Sequence, residues 1–226
     1  MPTPLVTFSV ARYRPASAVW GALRTGTLRA PLRRVPGLRF AKLLGTGSGI
    51  GFSAVPDPLR WALFACWEAR RDWERFRDES PVMLRFRKRA AAVDTLLMLP
   101  ASAHGRWEGS GPLGAPPDSV PLADDAPVAI LTRATIRVSR ALRFWSLVPA
   151  VDATLRGRDG LLLSVGFGEI PWLRQGTLSV WSSATVMREW AYGSTDHLAA
   201  MRRTRAEGWY AEELFARLRV VGRESR

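Results

Sequence analysis

The chain contains two histidines, and one of them stands where an imidazole could do chemistry. Ser194 or Thr195 can cap the start of a helix. From there His197, Ala200, Met201 and Arg205 share one face by their three- and four-residue spacing. A histidine among apolar neighbours, with an arginine two turns on, could hold haem iron while the guanidinium meets a propionate. The same spacing also suits a helix-surface histidine or one satisfied inside a core, and spacing alone leaves both readings open. His104, in Ala103-His104-Gly105, falls in a loop-like stretch and is expected to be solvated.

Arg133 is the second candidate. It lies in Leu131-Thr132-Arg133-Ala134-Thr135-Ile136, a strand pattern, and an arginine facing an interior needs an anionic partner. Facing outward it needs none, and alternation does not say which way it points. Trp145, Trp172 and Trp181 could line a flat apolar site for a porphyrin or a long hydrocarbon, or could serve as ordinary aromatic core. Zinc chemistry is disfavoured by the absence of Cys-x-x-Cys, His-x-x-x-His and His-Glu-x-x-His patterns. No serine lies in Gly-x-Ser-x-Gly, so a nucleophile elbow is not indicated. Gly45 to Gly51 is glycine-rich but opens no helix. It reads as a strand end with close backbone approach rather than a dinucleotide fingerprint.

The elements that must carry these residues are written twice. A shift of 114 places Trp67 on Trp181, Phe76 on Trp190 and Ser80 on Ser194. Each copy reads as an apolar strand ending in Trp, then a helix bearing an aromatic residue. The counterpart of His197 is Met83, so one half alone offers an imidazole. In the first half, strands are expected at Leu5 to Arg14, Leu38 to Leu44, Trp61 to Trp67 and Thr95 to Leu99. Helices are expected at Ala16 to Ala30 and from Ala69 through Met83. In the second half, strands at Val128 to Val138, Leu161 to Phe167, Gln175 to Trp181 and Ala211 to Val220 alternate with helices at Ala141 to Leu155 and from Ala184. Both halves follow β-α-β-β-α-β, the ferredoxin-like order. The expected fold is α+β, a tandem duplication of a ferredoxin-like unit closing into an intrachain dimeric α+β barrel. The halves would be 1–102 and 128–226, with 103–127 as a Gly-, Pro-, Asp- and Ser-rich linker. Each four-stranded sheet would have one helix-free apolar face, which must be covered.

Composition bounds the setting. Nearly half of the residues are apolar, enough for a substantial core, yet no apolar run approaches a membrane span. The first residues lack a signal-peptide pattern. Cys66 stands alone, consistent with a reducing compartment, so a cytoplasmic location is expected. The net charge of +13 comes almost wholly from arginine, since only Lys42 and Lys88 are lysines. These charges are spread along the chain without a nucleic-acid motif, so nucleic acid is not expected as a partner. They are nonetheless one-sided from Arg12 to Arg60, where Asp57 is the sole acid. That end could make peripheral contact with anionic lipid or with an acidic redox partner.

Several spaced motifs resemble the spheroidene monooxygenase family, the haem-associated carotenoid oxygenases. They are Leu131-Thr132-Arg133-Ala134-Thr135, Arg143-Phe144-Trp145, Gly166-Phe167-Gly168-Glu169-Ile170-Pro171, Thr177-Leu178-Ser179-Val180-Trp181, and the stretch from His197 through Gly208-Trp209-Tyr210 to Arg217. The resemblance implies the duplicated ferredoxin-like fold, a b-type haem with His197 as axial ligand, and monooxygenation of an apolar small molecule such as a carotenoid or other isoprenoid-like compound. It implies that Arg133 contacts the haem or the oxygen side, with Met201, Arg205 and Trp145 near the cofactor. Electrons would come from an external donor such as ferredoxin, because no flavin or nicotinamide site is visible. Two other classes share this scaffold. One is different haem chemistry, such as aldoxime dehydration or a peroxide-driven reaction. The other is non-enzymatic binding of haem or an apolar ligand, or a cofactor-free oxygenase.

Overall fold

The computed structural model describes residues 4–114, 122 and 124–226. The stretch 115–121 and residue 123, part of the expected linker, lie outside the described residues, as do the first three residues of the leader reading. The chain divides into two compact units. Unit 1 comprises 1–46, 57–100 and 220–226, and unit 2 comprises 47–56 and 101–219. Both are α+β.

Unit 1 carries β1 (Leu5–Tyr13), α1 (Ala18–Thr27), α2 (Arg29–Leu32), most of β2 (Leu38–Gly47), nearly all of β3 (Pro56–Trp67), α3 (Arg70–Glu79), α4 (Pro81–Arg87) and most of β4 (Ala90–Gly105). Its sheet order is β2-β3-β1-β4, with β1 antiparallel to both neighbours. The helix expected from Ala69 through Met83 is two helices. Ser80 leaves helical geometry at ψ 125° and Pro81 starts α4. The residue before a proline is pushed out of the α region, and proline is favoured at a first helical position. Trp67, Trp73, Phe76, Met83 and Phe86 pack together behind the sheet.

Unit 2 carries β5 (Val128–Ile136), α5 (Ala141–Leu155), β6 (Leu161–Ile170), β7 (Arg174–Trp181), α6 (Ala184–Gly193), α7 (Thr195–Glu207) and most of β8 (Tyr210–Ser225). Its sheet order is β6-β7-β5-β8. Val128, Ile130 and Trp181 of the sheet pack with Leu155 of α5 and Ala184 and Met187 of α6. Strand side chains alternate between faces. The even positions of β5 therefore face the helices, and Ala129, Leu131 and Arg133 face away. The expected strand at Thr95 to Leu99 is the middle of the longer β4, which reaches Gly105. His104, read as part of a loop, stands on that strand, exposed, with its ring 5.4 Å from that of Phe215.

The glycine-rich run after β2 makes the close backbone approach its composition suggests. A Cβ on Gly166 would lie 1.9 Å from the Gly51 carbonyl oxygen, so nothing larger than glycine fits there. The Gly51 amide donates to Asp152 of α5 at 2.8 Å, which ties this run to the helix. Among the described residues no helix is long and apolar enough to cross a membrane.

Candidate functional site

Ser194 supplies the cap that starts α7. Its hydroxyl accepts from the His197 amide at 3.3 Å. This places His197 in the first helical turn, half-buried, with its ring centroid 4.4 Å from that of Trp190 at the end of α6. His197 Nδ1 lies 3.0 Å from the Ala191 carbonyl oxygen. A carbonyl can only accept, so Nδ1 carries the hydrogen and the neutral ring keeps its lone pair on Nε2. Burial lowers the His197 pKa below the ordinary histidine value and outweighs the Ala191 hydrogen bond, which favours the charged form. The imidazole is thereby held neutral, oriented and basic at one nitrogen.

Two contacts give the direction of the helices around it. Arg143, at the start of α5, donates to Glu207 at the end of α7. Trp190, beside His197, donates through Nε1 to Thr154 at the other end of α5. Helices α5 and α7 therefore run antiparallel, with His197 near the C-terminal end of α5. Met201 is half-buried one turn further along α7, and Arg205 is exposed two turns along. Trp145 stands toward the opposite end of α5. Its Nε1 donates to the Trp172 carbonyl at 3.0 Å, and it packs in a separate aromatic group with Phe144 and Tyr210. His197 and Trp145 thus belong to one helical layer, at opposite ends of it.

Arg133 belongs to the other face of the sheet. Its side chain is 1% exposed. Its Nε and Nη2 donate to Glu169 Oε1 at 3.1 and 3.0 Å, and Nη1 donates to Glu212. Trp107 Nε1 donates to the same Glu169 oxygen at 2.8 Å, and the guanidinium lies 5.6 Å from the Trp107 ring centroid. Glu212 also accepts from the amides of Glu108 and Gly109 at 2.9 and 2.7 Å. Burial works to raise the Glu212 pKa, but the Gly109 and Glu108 amides together with Arg133 hold it below the usual carboxylate range. Gly176, beside Arg133 in the register, leaves room for Phe167. A Cβ there would meet the Phe167 ring at 2.4 Å. Phe167 in turn stacks on Trp107 at 6.1 Å.

The anionic partners that an inward arginine requires are therefore two carboxylates of the protein. The sheet separates Arg133 from His197, so the two leading candidates do not form one constellation. Glu169, Glu212 and Trp107 received no role from sequence. The available signal was a carboxylate on each of two apolar strands, Glu169 in Gly168-Glu169-Ile170 and Glu212 in Ala211-Glu212-Glu213. A groove of about 580 Å³ lies elsewhere, in unit 1, where Arg34, Arg75 and Arg85 share the lining with Asp72 and Glu79.

In fold, the chain is similar to solved structures of aldoxime dehydratase. One has a TM-score of 0.66 at 12% identity over 96% of this chain and 81% of that one. A second, crystallised with butyraldoxime, has a TM-score of 0.62 at 12% identity over 96% and 79%. These likenesses define an α+β fold class. In sequence, the chain is 36% identical to spheroidene monooxygenase of Rhodobacter capsulatus over 98% of its length and 92% of that protein's. It is 33% identical to the Cereibacter sphaeroides protein of that name, over 96% and 67%, and 36% identical to the Rubrivivax gelatinosus one, over 90% and 77%. No protein-family model matches. The chain belongs to the spheroidene monooxygenase family, and is an oxidoreductase.

Proposed function

We propose that this protein is a haem-dependent monooxygenase acting on a carotenoid or a similar long apolar molecule. The reaction and substrate class rest on 36% identity across 98% of the chain to a protein named for that activity. The cofactor reading rests on His197, which fits an axial ligand in its donor chemistry. The Ala191 carbonyl accepts from Nδ1–H, which is the hydrogen bond that orients a ligating imidazole and leaves Nε2 for the metal. Burial keeps the ring unprotonated, as a ligand must be. A haem b bound there would supply the oxygen chemistry. Met201 and Arg205 follow His197 along α7 and would flank the group, with Arg205 as its counter-charge. Trp145 would line the far end of the same helical layer. Arg133 stays outside this site, holding the opposite face of the sheet through Glu169 and Glu212. Electrons would come from an external donor such as ferredoxin, and contact with the membrane that holds an apolar substrate would fall to the basic N-terminal half.

We also infer that the fold arose by tandem duplication of a ferredoxin-like unit. Both units have the same sheet order and run strand, helical segment, two strands, helix pair, strand, with two helices in the first helical segment of unit 1 and one in that of unit 2. Trp67 and Trp181, related by the shift of 114, meet Phe76 and Trp190, which are related by the same shift, at 4.9 and 5.1 Å.

Haem titration of purified protein tests the cofactor. The expected result is a Soret band that appears on reconstitution and is lost in His197→Ala. A His197→Ala protein with an unchanged Soret spectrum would exclude this ligand. A wild-type protein that stays colourless would exclude the cofactor.

A further inference from the structure

Two stretches of unit 1 contain no acid at all. Residues 12–46 hold eight basic residues, and residues 81–92 hold four. The fold brings them together. Helix α1, from the first stretch, packs on α4, from the second. The Arg89 guanidinium, just past α4, lies 5.7 Å from the centroid of the Trp20 ring in α1. Trp20 is half-buried and its ring also meets that of Tyr13, at 5.9 Å, so α1 is seated on the core by that side.

The outward side of the same pair is apolar. Val19 and Leu23, four residues apart on α1, are 73% and 66% exposed, and Leu84 of α4 is 43% exposed. Four exposed basic residues lie on the segments that follow these helices, Arg29 and Arg33 after α1 and Lys88 and Arg89 after α4. None of the four has a carboxylate partner among the described residues. Arg34 and Arg85, by contrast, share their groove with Asp72 and Glu79.

Exposed aliphatic side chains on a short helix, with exposed cations free of carboxylate partners on the adjoining segments and no acids, match a lipid–water interface. The aliphatic groups enter the acyl boundary and the cations meet anionic headgroups. Nucleic acid would use the cations but leave Val19, Leu23 and Leu84 without a role. We propose that α1 and α4 form a docking surface for an anionic lipid bilayer. This narrows the basic N-terminal half to one helix pair, on charge and exposure alone. It therefore stands or falls separately from the haem reading.

The test is flotation of the full chain with vesicles of phosphatidylcholine alone or of equimolar phosphatidylcholine and phosphatidylglycerol. The anionic vesicles should bind at least about tenfold more strongly, because each cation near such a surface contributes about a fivefold factor. Raising salt should weaken that binding. Arg29→Ala/Arg33→Ala should lose roughly fivefold per charge. Val19→Glu/Leu23→Glu should lose about tenfold or more while its thermal melt stays that of the wild type, since both positions are exposed. Equal binding to both vesicles, or binding to neither, would overturn the proposal. So would a Val19→Glu/Leu23→Glu protein that still floats fully and is retained on heparin like the wild type, which would mark a polyanion site instead.

Discussion

The turn between α3 and α4 in unit 1 and the turn between α6 and α7 in unit 2 solve one local problem with different third residues. In each, a backbone amide closes the first helix, Ser80 N to Phe76 O at 3.2 Å and Ser194 N to Trp190 O at 3.0 Å. In each, the serine hydroxyl then caps the next helix. Three residues past the cap stands Met83 in one unit and His197 in the other. Met83 is 3% exposed within an aromatic and aliphatic core. His197 is half-buried and bonded to the preceding carbonyl. The backbone device is the same, and the side chain it presents is inert packing in one case and a fixed, neutral base in the other. Chemistry is added here by one residue on an unchanged frame.

The sheets offer a second contrast. Leu5 pairs with Trp67 and Val128 with Trp181, so five residues on, Val10 and Arg133 are matched in register. Unit 1 has an aliphatic side chain where unit 2 buries a charge. Transplanting the unit 1 residue, Arg133→Val, should therefore be among the most destabilising single changes. It removes the cation shared by Glu169 and Glu212 and should cost about 3–5 kcal/mol in urea unfolding. Pairing Arg133→Met with Glu169→Gln should recover part of that loss. A single variant within 1 kcal/mol of wild type would show that the cluster is not a closed network.

The aromatic counterparts differ in depth. Phe76→Ala should cost about 3–5 kcal/mol, because Phe76 is fully buried against Trp67 and Trp73. Trp190→Ala should cost less, since Trp190 is only half-buried, and should free the His197 ring that rests on it. Equal losses would remove the asymmetry between the units. Ser80→Ala and Ser194→Ala should each lose about 1 kcal/mol of stability. If His197 holds haem as proposed, only Ser194→Ala should also weaken haem uptake in a titration followed by the Soret band.

The smallest effect is a histidine-borne pH dependence near neutrality, and unit 1 has no histidine. The folded His197 pKa lies below the unfolded value, so the unfolded chain takes up the proton first as pH falls. Its contribution is intact above about pH 6.5 and is lost progressively below it. In apoprotein, His197→Gln should show a shallower fall in unfolding midpoint between about pH 7 and about pH 5 than the wild type does. Identical slopes would mean that the ring is not desolvated.

The path from residues to elements was short where pattern and length agree. Helix α5 runs from Ala141 to Leu155 as its periodicity suggests, and every strand has its expected neighbourhood. The break at Ser80-Pro81 was misread because Met83 keeps the helical spacing of Trp73 and Phe76 across it. Periodicity registers which side chains share a core and is silent about whether one helix or two bring them there.

What the linear chain determined by itself was the alternation of strands and helices, the repeated Trp and Ser landmarks, the family, and His197 as the imidazole in the second copy. Local propensity and short-range spacing suffice for those. Only the folded structure decided that Arg133 faces away from the helices and is neutralised by residues 36 and 79 positions distant. Only it set α1 against α4, and turned Nδ1 of His197 to a carbonyl. A strand's two faces are equivalent in sequence until something packs against one of them, and a charge has no partner until the chain returns to supply it.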